Sequence, residues 1–203
     1  LTTEQFIMLE SIINRFKKVR ATIGHGHFCI ISFDDALHTA RIYSRIGAFT
    51  KEELDFLEYI FHQDAQTYGF RGDKQITKLT GTLNRRDILK VPYTGNYLFK
   101  GESLQKYKEL KKRIGDQLVL TSGIRGMTKQ FYLFLNKAYR YQGNLSLASR
   151  SLAPPGYSYH ATGDFDVGQK GFGGGNFSVQ FTSTPVFHSL TSKGYVEYRY
   201  TKD

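Results

Sequence analysis

The sequence predicts an α+β protein in which helices come first and a small, mainly antiparallel sheet with flanking helices follows. Up to Phe61, apolar residues recur at helical spacing, and Thr50 with Glu53 forms a capping box that opens a helix. After Pro155-Gly156 the helical periodicity stops, glycines cluster and short β-prone runs appear. The apolar share of 40% and the charged share of 23% indicate a chain that buries a core, and they exclude an intrinsically disordered or collagen-like protein.

The predicted elements divide the chain into a helical N-terminal region over residues 1–100, packed on a core over residues 101–203. We expect helices over 3–19, 34–46, 103–114 and 184–191, of which the third is strongly basic. A further helix begins at residue 50, and another follows residue 126 and ends at about 141. We expect strands over 118–121, 165–167, 177–181 and 196–200, and loops with short elements over 69–100. No apolar run approaches the ~18 residues that cross a bilayer, so no membrane span is expected.

The charge of the chain favours an anionic partner. Its 28 basic and 18 acidic residues give a net charge of +10, and the surplus lies in the first 150 residues. Nucleic acid and the anionic bacterial cell wall both fit this charge, which does not choose between them. No recognisable nucleic-acid-binding motif is present, so nucleic acid is not expected to be the partner.

Most of the histidines and the single cysteine have a structural interpretation. His25 and His27 flank Gly26, a spacing that on a strand directs both side chains to one face and can bind a metal; a surface or structural pair is the alternative. Cys29 lies in an apolar run and is expected to be a buried small hydrophobe, and a lone cysteine forms no disulfide framework. The histidines inside predicted helices are interpreted as structural: His38, His62 and His188.

His160 and Asp166 form the strongest candidate metal pair. They lie six residues apart on a loop that leads into a predicted strand, and Gly163 lets the chain fold back between them. Neutral imidazole and carboxylate are both zinc ligands, but catalytic zinc usually takes three protein ligands and a water, so the pair is half a site. A glycine-rich turn with a capping aspartate is the alternative.

Three segments together resemble the zinc D-Ala-D-Ala carboxypeptidase family, the larger group that also contains the vancomycin-resistance dipeptidases and the Hedgehog-type fold. The first is Leu120-Thr121-Ser122-Gly123-Ile124-Arg125, with Gln130 on the following helix. The second is Ala153-Pro154-Pro155-Gly156-Tyr157-Ser158-Tyr159-His160, and the third runs from Gly163 through Asp166-Val167-Gly168. The resemblance covers about residues 115–203.

The resemblance implies a Hedgehog/D,D-peptidase-like fold and a zinc (Zn2+) hydrolase that cuts a peptide bond next to a D-amino acid in peptidoglycan stem peptides. Under it, His160 and Asp166 are zinc ligands, and Ser158 binds the substrate peptide near the scissile bond. Arg125 stabilises the developing oxyanion, and Gln130 helps to hold the terminal carboxylate or the peptide backbone. It also implies a periplasmic or otherwise extracytoplasmic location in the bacterial cell envelope.

Two departures from the family's pattern affect these roles. The family's aspartate usually lies seven residues after the histidine, where this chain has Val167; Asp166 and Asp164 compete for the role, and we favour Asp166 because it lies on the predicted strand. The family's general base and third ligand lie in a Glu-x-x-His motif after a C-terminal strand, and no such motif follows residues 195–200 here. Glu197, on that strand, is not supported as the base by the family's pattern.

The missing motif leaves two interpretations open. In the first, which we favour, the sequence as written is incomplete at its C-terminus and the protein is a carboxypeptidase or endopeptidase. In the second, the protein is a non-catalytic cell-wall-binding relative on the same fold. The zinc content of the protein distinguishes the two.

Overall fold

The computed structural model describes residues 1–194 and has the predicted α+β architecture. The α-helices are α1 (Thr3–Ile23), α2 (His25–Phe28), α3 (Phe33–Ile42), α4 (Lys51–His62), α5 (Glu102–Ile114), α6 (Met127–Arg140), α7 (Leu145–Ser149) and α8 (Pro185–Ser192). The strands are β1 (Ile88–Lys90), β2 (Tyr97–Phe99), β3 (Leu118–Ser122) and β4 (Asp166–Gln169). β1 pairs with β2, and β3 pairs with β4, both antiparallel. None of the helices in the described part of the chain has the length and apolar character needed to cross a membrane.

Side-chain caps fix where several of the helices begin, among them α1, α3, α4, α7 and α8. The predicted capping box of α4 is present: the Thr50 hydroxyl accepts from the Glu53 amide at 3.2 Å, and the Thr50 amide donates to the Glu53 carboxylate at 2.9 Å. α8 begins as predicted, with Thr184 as N-cap and a proline in its first turn. α3 ends at Ile42, earlier than predicted, because Tyr43 adopts an extended conformation at φ −98° and ψ 102°.

The larger hydrophobic core, which we call the helical core, lies among α1, α3, α4 and α6. Its fully buried side chains include Leu9, Ile12, Phe16, Leu57, Phe61, Phe131 and Phe134. α6 belongs to the second half of the chain, yet its apolar face is part of this core. Because burying each large apolar side chain contributes about 1.5–3 kcal/mol, the N-terminal helices hold α6 firmly in place.

The smaller hydrophobic core, which we call the sheet core, lies between the strands, α5 and α8. Its buried residues are Val91, Leu98, Tyr107, Leu118, Leu120, Val186 and Leu190. Leu120 pairs with Val167 and Ser122 with Asp166, which leaves Thr121 as an extra residue on β3. This irregularity brings the first residue of β4 opposite the end of β3, where the chain turns toward α6.

The predicted strand over residues 177–181 is wrong. The segment lies in two 3-10 turns, Gly173–Phe177 and Val179–Ser183. The hydroxyls of Thr182 and Ser183 each donate at 2.7 Å to the backbone carbonyl three residues earlier, and such local bonds compete with a β ladder. The predicted strand over 196–200, with Glu197, lies outside the described residues.

Candidate active site

A cleft of about 830 Å³ contains most of the predicted site residues. Those that line it are Arg125, Ser158, His160 and Asp166. Residues 69–72 of the N-terminal region and residues 149–153, from the last residue of α7 onward, line it as well. Both halves of the chain therefore build this cleft.

His160 and Asp166 are in direct contact, with 3.2 Å between Nε2 and Oδ2. The other ring nitrogen of His160, Nδ1, lies 3.0 Å from the backbone carbonyl of Asp164 and donates to it, because a carbonyl only accepts. This bond fixes the proton on Nδ1, so the lone pair of a neutral imidazole faces the carboxylate from Nε2. Two acceptors in contact need a proton or a metal cation between them.

The charges around Asp166 keep its carboxylate ionised. Burial acts to raise the pKa of the Asp166 carboxyl, but the hydrogen bond to His160 and the charges of His160, Arg125 and Lys129 outweigh it, so the pKa is lowered. The ionised carboxylate of Asp166 and the imidazole of His160, in the form without a proton on Nε2, are both groups that bind zinc.

The spacing of the two ligand atoms also fits zinc. Tetrahedral zinc with bonds of about 2.0–2.1 Å separates two ligand atoms by about 3.3 Å. The observed distance between His160 Nε2 and Asp166 Oδ2 is 3.2 Å. Across residues 1–194, no group of three His, Cys, Asp or Glu side chains is placed to hold a metal, so His160 and Asp166 form a candidate pair without a third candidate in this range.

The alternation of side chains along β4 explains why Asp166, rather than Val167 or Asp164, meets His160. Val167 packs against the sheet core, so its neighbour Asp166 points to the opposite face. Asp164 instead contributes its backbone carbonyl to His160 Nδ1. The position seven residues after the histidine is therefore a core position in this chain.

Arg125 lies beside the pair, with 10% of its side chain exposed. Its Nη2 donates to the Ser122 hydroxyl at 3.2 Å and lies 3.9 Å from Asp166 Oδ2. Its backbone amide donates to the carbonyl of His160 at 3.1 Å, which ties the turn before α6 to the histidine loop. Burial lowers the pKa of the Arg125 guanidinium, Asp166 opposes that shift, and an arginine remains charged at neutral pH.

The turn that carries Arg125 requires a glycine at position 123. A Cβ atom there would lie 2.1 Å from the carbonyl oxygen of Tyr97. The amide of Ile124 donates to that same carbonyl at 2.8 Å, so β2 approaches the turn closely. Through this contact the N-terminal region supports the arginine.

Gln130 and Ser158 occupy different positions relative to the cleft. Gln130 is 2% exposed; its Nε2 donates to the Ala153 carbonyl, and its Oε1 accepts from Arg125 Nη1 at 3.5 Å. We expected Gln130 to line the cleft, but it lies behind Arg125 and outside the cleft lining. Both ends of its amide are bonded to the protein. Ser158 lines the cleft, and its hydroxyl has no hydrogen-bond partner within residues 1–194.

The second candidate metal pair, His25 and His27, is not brought together. The two residues lie on helix α2 rather than on a strand, and side chains two positions apart on a helix diverge. His27 Nε2 lies 3.0 Å from Arg85 Nη2. Burial, together with the charges of Lys129 and Arg20, lowers the pKa of His25. The structural interpretation of this pair fits these contacts.

Lys129 is a site neighbour that the sequence analysis missed. It is 8% exposed, and its Nζ donates to the Sγ of Cys29 at 3.1 Å. Cys29 itself is fully buried, as predicted. No sequence signal marks Lys129, because Arg125 precedes α6, which begins at Met127, and helical spacing does not relate the two residues. The sequence analysis also did not select Arg71 and Arg150, two arginines that line the cleft, because neither lies in a recognisable motif.

Comparison with known proteins gives one match. Neither the curated proteins nor the solved structures contain a significant match to this chain. The family model described as D-alanyl-D-alanine carboxypeptidase (VanY) matches residues 100–201, half of the 203-residue chain. That range contains all three segments on which the resemblance depended. The chain belongs to the D-alanyl-D-alanine carboxypeptidase family.

Proposed function

We propose that the protein is a zinc-dependent peptidase that hydrolyses a peptide bond next to a D-amino acid in peptidoglycan stem peptides. The observation that carries this proposal is the contact of 3.2 Å between His160 Nε2 and Asp166 Oδ2, with Nδ1 of the histidine held by a backbone carbonyl. Family membership supports the substrate class. An extracytoplasmic location in the bacterial envelope follows from such a substrate and is part of the proposal.

Each of these side chains has a separate role in the proposed reaction. His160 and Asp166 hold the zinc ion, which when bound supplies Lewis acidity for hydrolysis. Arg125 donates to the oxygen of the scissile carbonyl as it gains negative charge, and Gln130 keeps the guanidinium in position. The unbonded hydroxyl of Ser158 orients the peptide backbone of the substrate.

Release of D-alanine from a synthetic stem peptide ending in D-Ala-D-Ala tests this proposal. We expect the zinc-loaded protein to release D-alanine and the His160→Ala variant to release none above background. His188→Ala is the matched control, because this exposed histidine lies on α8 and does not line the cleft. Equal release by His160→Ala and the unchanged protein would contradict the proposal.

One observation favours a second candidate function, a non-catalytic cell-wall-binding protein. Residues 1–194 contain no group of three metal-ligating side chains. The exposed basic residues of α5, which include Lys106, Lys108 and Lys112, provide a surface for an anionic wall. This candidate predicts binding to purified peptidoglycan without zinc and without D-alanine release. One zinc ion per chain together with D-alanine release would exclude it.

A further inference from the structure

We propose that Arg71 and Arg150 form a carboxylate-binding element in the cleft, so that the preferred substrate is a stem peptide with a free carboxylate rather than its amidated form. This inference rests on the proposed function and adds to it the chemical class of the substrate. Both arginines line the same cleft as His160 and Asp166. Neither belongs to the three segments that resemble the family.

Among residues 1–194, the charges in the cleft leave Arg71 and Arg150 without a partner. The acidic residues that line it are Asp164 and Asp166. Asp166 is already in contact with His160 and lies 3.9 Å from Arg125. Within the described residues, Arg71 and Arg150 make no hydrogen bond or ion pair, and both are exposed. An incoming carboxylate therefore has no ion pair between these arginines and residues 1–194 to break.

Arg71 is carried by a loop that is fixed to the histidine segment. The amides of Gln75 and Ile76 donate to the Gly156 carbonyl at 2.7 and 2.9 Å. The ring of Phe70 packs edge-on against that of Tyr157, with 5.5 Å between their centroids. Because Gly156 and Tyr157 directly precede Ser158, these contacts set the position of Arg71 relative to the site.

The backbone contact at Gly156 also explains why a glycine lies there. Its φ of +90° is in the region that favours glycine, and a Cβ atom would lie 3.0 Å from the Ile76 carbonyl oxygen. The loop that carries Arg71 therefore leaves too little room for a side chain at position 156 of the Pro-Pro-Gly turn. Although Arg71 lies outside the family match over residues 100–201, it lines the same cleft as His160 and Asp166.

Arg150 also follows an anchored element. It lies directly after α7, whose N-cap Asn144 accepts from the Leu147 amide at 3.0 Å. Ala148 is fully buried and Ser149 is 8% exposed, so the backbone before the arginine is held by packing. Only the side chain of Arg150 is free to move toward a ligand.

The chemistry of the guanidinium selects the ligand. Its planar fork of N–H donors matches the two oxygens of a carboxylate, and such charge-assisted pairs are about twice as strong as neutral hydrogen bonds. An amide has no negative charge and offers a single acceptor oxygen. A stem peptide has two sources of a carboxylate, its C-terminus and its acidic side groups, and the test separates them.

The test measures kcat/KM for the unchanged protein and for the Arg71→Ala/Arg150→Ala double variant on three stem peptides. The first peptide has free carboxylates, the second has its side carboxylates converted to amides, and the third has an amidated C-terminus. We expect the double variant to lose about tenfold or more on the first peptide, the size of a lost charge-assisted pair. Whichever amidated peptide abolishes this loss identifies the carboxylate that is bound.

The control variant is Arg140→Ala, an exposed arginine at the end of α6 that does not line the cleft; it should leave kcat/KM unchanged on all three peptides. A double variant with no loss, or with the same loss on every peptide, would overturn the inference. If the unchanged protein hydrolyses none of the peptides, the proposed function fails. In that case, calorimetry measures the affinity of the same three peptides for the unchanged protein and for the double variant. A loss of affinity in the double variant that disappears with one amidated peptide would support the inference, and no such loss would overturn it.

Discussion

The helical core and the sheet core hold the two sides of the candidate site by different means. Arg125 is placed by α6, a helix of 14 residues whose apolar face is buried among the N-terminal helices. Asp166 is placed by β4, a strand of four residues whose register includes an irregularity opposite Thr121. The arginine side therefore depends on extensive packing, whereas the side with the candidate ligands His160 and Asp166 depends on turns and on a short strand pairing. Changes in the two regions should consequently affect stability and activity in different proportions.

The largest expected effect on stability comes from the helical core. Phe131→Ala should lower the free energy of unfolding by about 3–5 kcal/mol, because the ring is fully buried and its loss leaves a cavity. Val186→Ala in the sheet core should cost only about 2 kcal/mol, since fewer buried carbons are removed. Urea unfolding of both variants measures the difference. A larger loss for Val186→Ala would reverse the comparison of the two cores.

A buried ion pair ties α1 to the start of α4 and should matter almost as much. The Glu53 carboxylate accepts from Arg15 Nε at 2.9 Å and from the Ser11 hydroxyl at 2.6 Å, and its side chain is 4% exposed. Glu53→Ala should cost about 3 kcal/mol, because it leaves the arginine without its partner. Asp55→Ala, which removes the exposed pair with Lys51, should cost less than about 1 kcal/mol. Equal unfolding midpoints for the two variants would argue against this assignment.

Arg125→Ala should mainly lower turnover, whereas Phe131→Ala should mainly lower the free energy of unfolding. Under the proposed function, turnover falls by about 10² because a donor to the developing oxyanion is lost. Zinc content should stay unchanged, since Arg125 lies 3.9 Å from Asp166 and is not expected to be a ligand. Steady-state kinetics beside metal analysis checks both statements. A normal rate would remove the oxyanion role from this residue.

The smallest expected effect on activity comes from Gln130, which acts through Arg125. Gln130→Ala should lower kcat by about tenfold and change KM little, because the guanidinium loses one hydrogen bond that orients it. Gln130→Glu keeps an acceptor for the guanidinium, although it loses the donor to the Ala153 carbonyl, and it should retain more activity than Gln130→Ala. The reverse order in these two variants would assign Gln130 a purely structural role.

The helical parts of the fold were predictable from the sequence, whereas the glycine-rich part was predicted only in part. Helical spacing and the Thr50 capping box located α1 and α4, because these signals are local. The segment over 177–181 has β-prone residues but forms 3-10 turns, because its serine and threonine side chains bond their own backbone. For the region that contains β1 and β2, the sequence predicted only loops with short elements. The pairing of these two strands depends on tertiary contacts, which a local pattern does not show.

The residues of the site were predictable where a motif marks them. The resemblance selected Arg125, Ser158, His160 and Asp166, and all four line one cleft. Gln130 was selected by the same motif, but only the structure shows that both ends of its amide are already bonded. Arg71 and Arg150 follow no motif, and their approach to the cleft depends on contacts between distant parts of the chain.

The most direct test of the central claim is the zinc content of two neighbouring aspartate variants. Asp166 and Asp164 lie two residues apart, but only the Asp166 side chain contacts His160, whereas Asp164 contributes a backbone carbonyl that Asn retains. Purified Asp166→Asn should therefore lose bound zinc, and Asp164→Asn should keep as much as the unchanged protein. Elemental analysis of the three proteins gives the answer. Zinc retained by Asp166→Asn and lost from Asp164→Asn would contradict the assignment of the metal pair.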